Sequence, residues 1–194
     1  MLRNLRSLKS SGSPELKKIL REIFPVLFLC VIGGIIAGVF LNSMEDEITR
    51  IPGLLVLLPA VLATRGNISG AIGSRLSSAL HMGLIEPDLR WNKTLADNVW
   101  ASIILNIVLS VFVGIFAHWA CLIFGFESAG IITLTLISLI TGTIAGVILT
   151  IMSVFVAIVS TARGFDPDNV VNPTLLTIGD ILTVLCLFIV AKIF

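Results

Sequence analysis

Five long stretches of apolar residues, separated by short polar segments, dominate the chain. Residues with little or no charge occupy positions 23–41, 52–80, 98–126, 128–162 and 173–194. A transmembrane helix needs roughly 20 apolar residues, so each stretch is long enough to cross a bilayer. The fourth exceeds one straight crossing at about 1.5 Å per residue, so part of it must tilt or extend beyond the lipid. The pattern predicts an all-α integral membrane protein with five transmembrane helices per protomer.

The composition agrees with a lipid environment. Hydrophobic residues make up 56% of the chain and charged residues only 13%, whereas soluble domains carry roughly 25% charged residues. The net charge of +1 and the absence of a dense basic patch give no indication of a nucleic-acid partner. The three cysteines lie far apart in apolar runs, which is typical of buried thiols rather than of a metal site or a disulfide framework.

The basic residues of the polar segments predict the orientation. Residues 1–22 form a basic tail, and residues 23–194 form a domain that contains the five spans. With five spans, Arg90, Lys93 and Arg163 share the side of this tail. The positive-inside rule then predicts a cytoplasmic N-terminus and an external C-terminus in the cell membrane. A cleaved signal peptide is the alternative, but the first apolar run exceeds the usual length of its hydrophobic region.

Small residues recur at the spacing that allows helices to approach closely. Three Gly-x-x-x-Gly pairs are present, at Gly34 and Gly38, Gly66 and Gly70, and Gly142 and Gly146. In lipid this spacing favours close contact between helix backbones. The pairs predict a tightly packed bundle, although single pairs also occur as ordinary glycines of membrane helices.

The fifth span contains an acidic residue, Asp180. An ionisable group inside a membrane helix costs at least about 2.5 kcal/mol, so it is a functional hypothesis by default. Asn172 and Pro173 suit the N-cap and first residue of this helix, which would place Asp180 in its eighth position. Thr177 lies one turn earlier on the same face. An acid, a hydroxyl and a helix start on one stripe indicate the lining of a cation path.

The second span contains two arginines and a polar stripe. Asn67 and Ser74 are seven residues apart and hence lie on one face. Arg75 lies near the cytoplasmic end, where it can snorkel. Arg65 is deeper and needs a partner or a water-filled cavity. The alternative to an ion-binding Asp180 is a protonated one, or one paired with either arginine.

Two further features suggest oxygen ligands for a hard cation. Pro59 and Gly66 predict a break in the second span, and the freed carbonyls would suit Mg²⁺ or Ca²⁺. The alternative is a proline-kinked structural helix. Before the fifth span, Asp166, Asn172 and their polar neighbours can concentrate cations at a pore mouth, or form a solvated turn.

Two segments resemble the transmembrane domain of the MgtE family of magnesium transporters and its eukaryotic solute-carrier relatives. The first reads Pro-Ala-Val-Leu-Ala-Thr-Arg-Gly-Asn at residues 59–67, followed by Arg75 and Leu76. The second contains Asp166-Pro167, Asn172-Pro173, Thr177 and Gly179-Asp180. The two segments occur in the family's order and in the corresponding spans, so the resemblance covers about residues 20–194.

The resemblance implies a homodimer with an Mg²⁺ pore along its two-fold axis, lined by the second and fifth helices. The family's essential ion-site aspartate matches Asp180, and a backbone carbonyl one turn earlier matches Leu176. The asparagine of the second span matches Asn67, and the aspartate of the cytoplasmic mouth matches Asp166. Together with Thr177 and Asn172, these are the candidate metal ligands, and Mg²⁺ is both the transported ion and the expected pore ligand.

Two departures from the family pattern are visible. Bacterial members carry cytoplasmic CBS domains that sense Mg²⁺, whereas only about 22 residues precede the first span here. We therefore expect gating without those domains, unless a separate subunit supplies them. Leu175 and Leu176 also replace smaller or polar residues, which affects the expected pore width.

The leading hypothesis is a divalent cation channel or transporter, which is not an enzyme. The first alternative is an accessory or half subunit of a larger membrane transporter, completed by a homologous chain. The second is an intramembrane hydrolase built on Ser69 with His81 or His118, but the sequence around Ser69 lacks a Gly-x-Ser-Gly motif.

Overall fold

The computed structural model describes residues 14–86, 90–164 and 167–194. These residues form the helices α1 (Pro14–Asn42), α2 (Glu45–Arg50), α3 (Leu54–His81), α4 (Lys93–Ile123), α5 (Ile131–Ala162) and α6 (Pro167–Ile193). Over the described ranges five helical segments are long and apolar enough to cross a membrane: Ile23–Asn42, Leu54–His81, Lys93–Ile123, Ile131–Ala162 and Val171–Ile193. The predicted all-α bundle with five spans is therefore confirmed.

The short helix α2 was not predicted, and it connects the segment between α1 and α3 to the end of the last span. Met44 before it is fully buried. Arg50 in its last turn donates from Nη2 to the backbone carbonyl of Ala191 at 2.7 Å. Carbonyls in the last turn of a helix lack partners within it, and a cation there also interacts favourably with the helix dipole. Arg50 therefore stabilises the C-terminal end of α6.

The predicted break in the second span is wrong. Helix α3 runs without interruption from Leu54 to His81 and contains Pro59 in its second turn. A proline this near the start removes one backbone donor, whose acceptor would be residue 55, and the rest of the helix continues normally. The carbonyls around Gly66 are therefore engaged in helical hydrogen bonds and are not freed as cation ligands.

The predicted start of the last helix is also wrong. Helix α6 begins at Pro167, and Pro173 lies inside it. Proline is well tolerated in a first turn, so Pro167 fits the observed start, and Asn172 is a helical residue rather than an N-cap. Asp180 is the fourteenth residue counted from Pro167, about 20 Å along the helix at 1.5 Å per residue.

Helices α4 and α5 pack closely through small and polar side chains. A Cβ on Gly142 would overlap Ser110, and one on Gly146 would overlap Asn106. The hydroxyls of Ser102 and Thr150 share a hydrogen bond of 2.7 Å. The prediction of close packing is confirmed for this glycine pair.

The glycine pair of α1 is different. A Cβ on Gly34 or Gly38 would meet nothing within 4 Å in the chain. Instead, the neighbouring Gly33 packs against Thr177 of α6. Helix α1 therefore approaches α6 closely at Gly33, whereas the predicted pair is exposed.

A buried arginine of α3 lies between two apolar clusters of the bundle core. One hydrophobic cluster includes Leu54 to Val61 of α3 and the end of α6. The other includes Ile68 to Leu80 of α3 and the start of α6. Arg65 lies between the two clusters on α3, and its residue is 2% exposed. Arg65 is therefore a buried charge between two apolar clusters and requires a partner nearby.

Candidate functional site

Helices α3 and α6 border an open groove of about 650 Å³. Its polar side chains are Asn67 and Ser74 from α3, and Asn172 and Asp180 from α6. The remaining lining residues are small or apolar. The structure thus brings four of the predicted ligands to one surface: Asn67 from α3, and Asn172, Leu176 and Asp180 from α6.

Asp180 both faces the groove and pairs with an arginine. Its side chain is 45% exposed, whereas that of Arg65 is 2% exposed. Arg65 donates from Nη2 to Oδ1 of Asp180 in a salt bridge that links α3 to α6. The structure therefore combines the two possibilities considered for Asp180, because pairing with Arg65 leaves much of the carboxylate accessible from the groove.

Gly179 makes this pairing sterically possible. A Cβ on Gly179 would overlap Nη1 of Arg65 and would also lie 3.3 Å from Cδ1 of Leu149. The residue before Asp180 must therefore lack a side chain so that the guanidinium can lie against the α6 backbone. This requirement was not recognised in the sequence, although the Gly-Asp dipeptide was part of the resemblance.

Arg75 has a separate role. It is exposed at the surface, and its Nε donates to Oδ1 of Asn98 at 2.7 Å. The amide nitrogen of Asn98 donates in turn to the Thr94 carbonyl at 2.8 Å. Arg75 therefore links α3 to α4, and Arg65 is the arginine that pairs with Asp180.

Asn67 and Ser74 lie on one exposed face of α3, as their spacing predicts. Asn172 is their neighbour across the groove, and its amide nitrogen donates to Ser74 Oγ at 3.3 Å. Its Oδ1 is buried without a partner among the described residues and lies 2.6 Å from where a Cβ on Gly73 would stand. Rotation of the amide group would present Oδ1 to the groove instead.

Leu176 lines the groove with its side chain, which packs over α3. Its Cδ2 lies 3.2 Å from where a Cβ on Gly66 would stand, and the residue is 42% exposed. Within a continuous helix the carbonyl of residue 176 accepts from the amide of residue 180, so only its second lone pair remains for a cation. The assignment of Leu176 as a carbonyl ligand stays a prediction.

Thr177 does not contribute to the observed groove surface. Thr177 donates from its hydroxyl to the Pro173 carbonyl at 3.1 Å and packs against Gly33 of α1. Asp166 lies outside the described residues. The proposed ligand roles of both residues stay predictions.

Carboxylates, histidines and cysteines do not gather into a metal centre in the part of the chain that the structure describes, since no group of three comes together there. A cation in the groove would therefore meet one carboxylate, with amide, hydroxyl and carbonyl oxygens around it. This donor set suits a hard cation that keeps several of its waters, as Mg²⁺ does.

Of the residues considered for a hydrolase site, Ser69 is buried and His118 is hydrogen-bonded to a different serine. Ser69 is 6% exposed on α3. His118 bonds through Nδ1 to Ser128 Oγ at 2.8 Å, near the opposite end of α4 from its start at Lys93. These contacts give a catalytic serine no support.

Comparison with known proteins identifies the family of the chain. The sequence profile of the MgtE family, described as divalent cation transporters, matches residues 58–190. The chain belongs to the MgtE family. The matched range includes α3 to α6 almost completely, and with them both walls of the groove.

Curated relatives of this MgtE-family chain are solute carriers. It is 29% identical over 171 residues to solute carrier family 41 member 2 of both Gallus gallus and Homo sapiens, which covers 84% of the chain and 29% of each relative. It is 26% identical over 178 residues to solute carrier family 41 member 3 of Rattus norvegicus, which covers 88% of the chain and 37% of the relative. The chain thus spans about a third of the length of these relatives.

Proposed function

We propose that this chain conducts Mg²⁺ across a cell membrane, and that Asp180 is the carboxylate that the ion meets. The observation that carries the proposal is the half-exposed Asp180 side chain in the groove between α3 and α6. Leaving a carboxylate accessible at this depth is costly in lipid. A water-filled ion path removes that cost, because there the acid faces water and a cation instead of hydrocarbon.

The size of the groove suits a hydrated ion. Mg²⁺ prefers octahedral coordination and loses its waters reluctantly. Six waters occupy roughly 180 Å³ at about 30 Å³ each, and the groove offers about 650 Å³. A hydrated ion therefore fits without being stripped, with Asp180 and Asn67 acting on its water shell.

The exposed face of α3 supports a second copy of the transport domain. Ala63, Asn67, Ala71 and Ser74 are exposed in this chain and are small or polar. By contrast, the exposed face of α4 carries large apolar side chains such as Phe116, which is 63% exposed. Small and polar residues favour contact between helices over contact with lipid. We therefore assign the α3 face to a partner and the α4 face to the bilayer.

A partner related by two-fold symmetry would enclose the path. It would bring a second Asp180 towards the first, and two nearby carboxylates favour a divalent cation between them. The partner is a second copy of the chain or a homologous unit. The much greater length of the curated relatives is compatible with either, since this chain covers 29% of solute carrier family 41 member 2.

The proposed orientation places the N-terminus in the cytoplasm and the C-terminus outside the cell. Arg90, Lys93 and Arg163 all lie at the ends of spans that face the same side as the N-terminus. The positive-inside rule supports a cytoplasmic location for that side.

The test is Mg²⁺ flux into proteoliposomes, measured with and without a Na⁺ gradient to separate channel from exchanger. Asp180→Asn removes the charge but keeps an oxygen that can accept from Arg65. We expect flux to fall by about tenfold or more, because the ion loses the carboxylate that faces the groove. The matched control is Asp97→Asn, at an exposed acid of α4 outside the groove, which should leave flux unchanged. Full flux in Asp180→Asn would refute the assignment of the path.

A further inference from the structure

Arg65 has more hydrogen-bond donors than partners. Its guanidinium carries five N–H groups, and Nη2 uses one on Asp180. Nε and Nη1 are buried and meet no acceptor among the residues with described positions. A buried cation that retains unused donors is costly, so the surroundings of these two nitrogens require an explanation.

A small enclosed cavity adjoins Arg65 on the side away from the groove. It lies between α3, α4 and α5, and Thr64, Asn106, Ser110 and Ser138 contribute oxygen-bearing side chains to its wall. About 10 Å³ is open to the centre of a water molecule, which is close to the least that holds one water. The hydroxyl of Ser138 is also unpaired within the described part of the chain. The cavity therefore offers Arg65 a second set of acceptors.

The carboxylate of Asp180 can also accept a further partner. The salt bridge uses Oδ1, and no contact of the other carboxylate oxygen is observed with the described residues. The side chain remains 45% exposed in the groove. One carboxylate thus lies between an internal cation on one side and the proposed ion path on the other.

We propose that Arg65 competes with the transported cation for the carboxylate of Asp180. By holding one carboxylate oxygen, Arg65 keeps the affinity of the site for a divalent cation low. This inference rests on the proposed function and adds its regulation. When a cation binds at Asp180, the two positive charges repel each other, and the guanidinium shifts its hydrogen bonds towards the polar cavity. When the cation leaves, Arg65 returns to the carboxylate.

The physical reason for such a competitor is the requirement for release. Ion conduction needs binding that is favourable enough for entry and weak enough for exit. A carboxylate pair without a counter-charge would hold a divalent ion tightly in the low dielectric of the bundle. Arg65 supplies a positive charge that pairs with the carboxylate as the ion departs, so Asp180 is never left without a counter-charge.

The test compares Arg65→Gln with wild type in the full chain, purified in detergent and titrated with MgCl₂ by calorimetry. Removing the competing charge should tighten Mg²⁺ binding by about tenfold or more and lower the maximal flux in proteoliposomes, because release slows. Arg65→Lys keeps the charge and should bind within about threefold of wild type. Arg75→Gln is the matched control, since it is the same substitution on the same helix but contacts Asn98. It should leave Mg²⁺ affinity unchanged.

If Arg65 had a purely structural role, Arg65→Gln would not bind Mg²⁺ more tightly than wild type. Mg²⁺ binding by folded Arg65→Gln that equals or falls below that of wild type overturns the inference. If this variant does not fold, the Mg²⁺ affinity of Ser138→Ala is measured instead. This substitution removes one unpaired acceptor at the cavity, so Arg65 should hold Asp180 more firmly and Mg²⁺ binding should weaken by about threefold. Unchanged affinity in Ser138→Ala then overturns the inference.

The proposed Mg²⁺ transport and the proposed role of Arg65 as competitor are contradicted by different results. If the wild-type chain neither binds nor transports Mg²⁺, the proposed function fails, and this inference fails with it. If wild type binds and transports Mg²⁺ but Arg65→Gln does not bind it more tightly, only the role of Arg65 as competitor is refuted.

Discussion

Replacing Asp180 by alanine should destabilise the protein mainly through Arg65. The Arg65 side chain is 2% exposed, and Asp180 is the acid to which it donates. Breaking a buried ion pair from one side typically costs about 3–5 kcal/mol, because the remaining charge is left uncompensated. Total stabilities of domains are only about 5–15 kcal/mol, so this loss is large. It corresponds to a fall in melting temperature on the order of 10 °C for a chain of this size.

The double variant Arg65→Met with Asp180→Ala tests this reasoning. It removes the stranded charge together with the carboxylate, and replacing a buried ion pair by apolar residues is often neutral or stabilising. We expect the double variant to recover most of the stability lost in Asp180→Ala. Arg65→Gln alone should cost less than Asp180→Ala, because the Asp180 side chain is 45% exposed and can be solvated from the groove.

The assay is thermal unfolding in detergent, followed by circular dichroism at fixed lipid and salt. Asp180→Asn serves as the intermediate variant, since its amide oxygen can still accept from Arg65. The reasoning is refuted if the double variant unfolds at the same temperature as Asp180→Ala, because the cost would then not come from the uncompensated guanidinium.

Two other predictions follow from the geometry. Gly179→Ala should lower stability by about 1–3 kcal/mol and reduce Mg²⁺ flux, because its Cβ overlaps Arg65. The control is Gly34→Ala, whose Cβ meets nothing within 4 Å in the chain and which should leave thermal unfolding unchanged. Equal stability of the two variants would contradict the packing argument. A cysteine introduced at the exposed Glu127 should react with a membrane-impermeant thiol reagent added to intact cells. A cysteine at the exposed Glu86 should react only after the cells are permeabilised. The reverse pattern would contradict the proposed orientation.

The five spans could be predicted because hydrophobic length is a local property of the chain. Each span needs about 20 apolar residues whatever its neighbours are, and all five segments were found. The helix ends were harder. Pro173 looked like a helix start, yet α6 begins at Pro167, since either proline is acceptable in a first turn and the chain alone does not choose between them.

The break predicted near Pro59 failed for a similar reason. A proline in the second turn of a helix removes a single hydrogen bond, which the rest of a long, packed helix tolerates. Helix α3 contributes residues to both hydrophobic clusters, so its packing holds it straight enough to continue. The loop helix α2 was missed because its stability comes from burial of Met44 and from the contact of Arg50 with α6.

The candidate site was found in part. Asp180 and Asn67 could be singled out because a polar residue deep in an apolar span is conspicuous in any context. The pairing of Arg65 with Asp180 could have been inferred more firmly, since these are opposite charges deep in two spans, and such charges are expected to pair. The position of Thr177 towards α1 could not, because it depends on how α6 is rotated against Gly33.

The order and length of the membrane helices, and the presence of costly charges within two of them, follow directly from the amino-acid sequence. They are local quantities, fixed by the transfer of each segment from water to lipid. The groove, the exposure of Asp180 on one side and its salt bridge on the other depend on packing between α3 and α6, which are more than 80 residues apart in the chain. Helix rotation is set by contacts with neighbouring helices, such as Gly179 against Arg65. The position of the Asp180 carboxylate between Arg65 and the proposed path of the transported cation is therefore a result of helix packing. The sequence alone does not determine it.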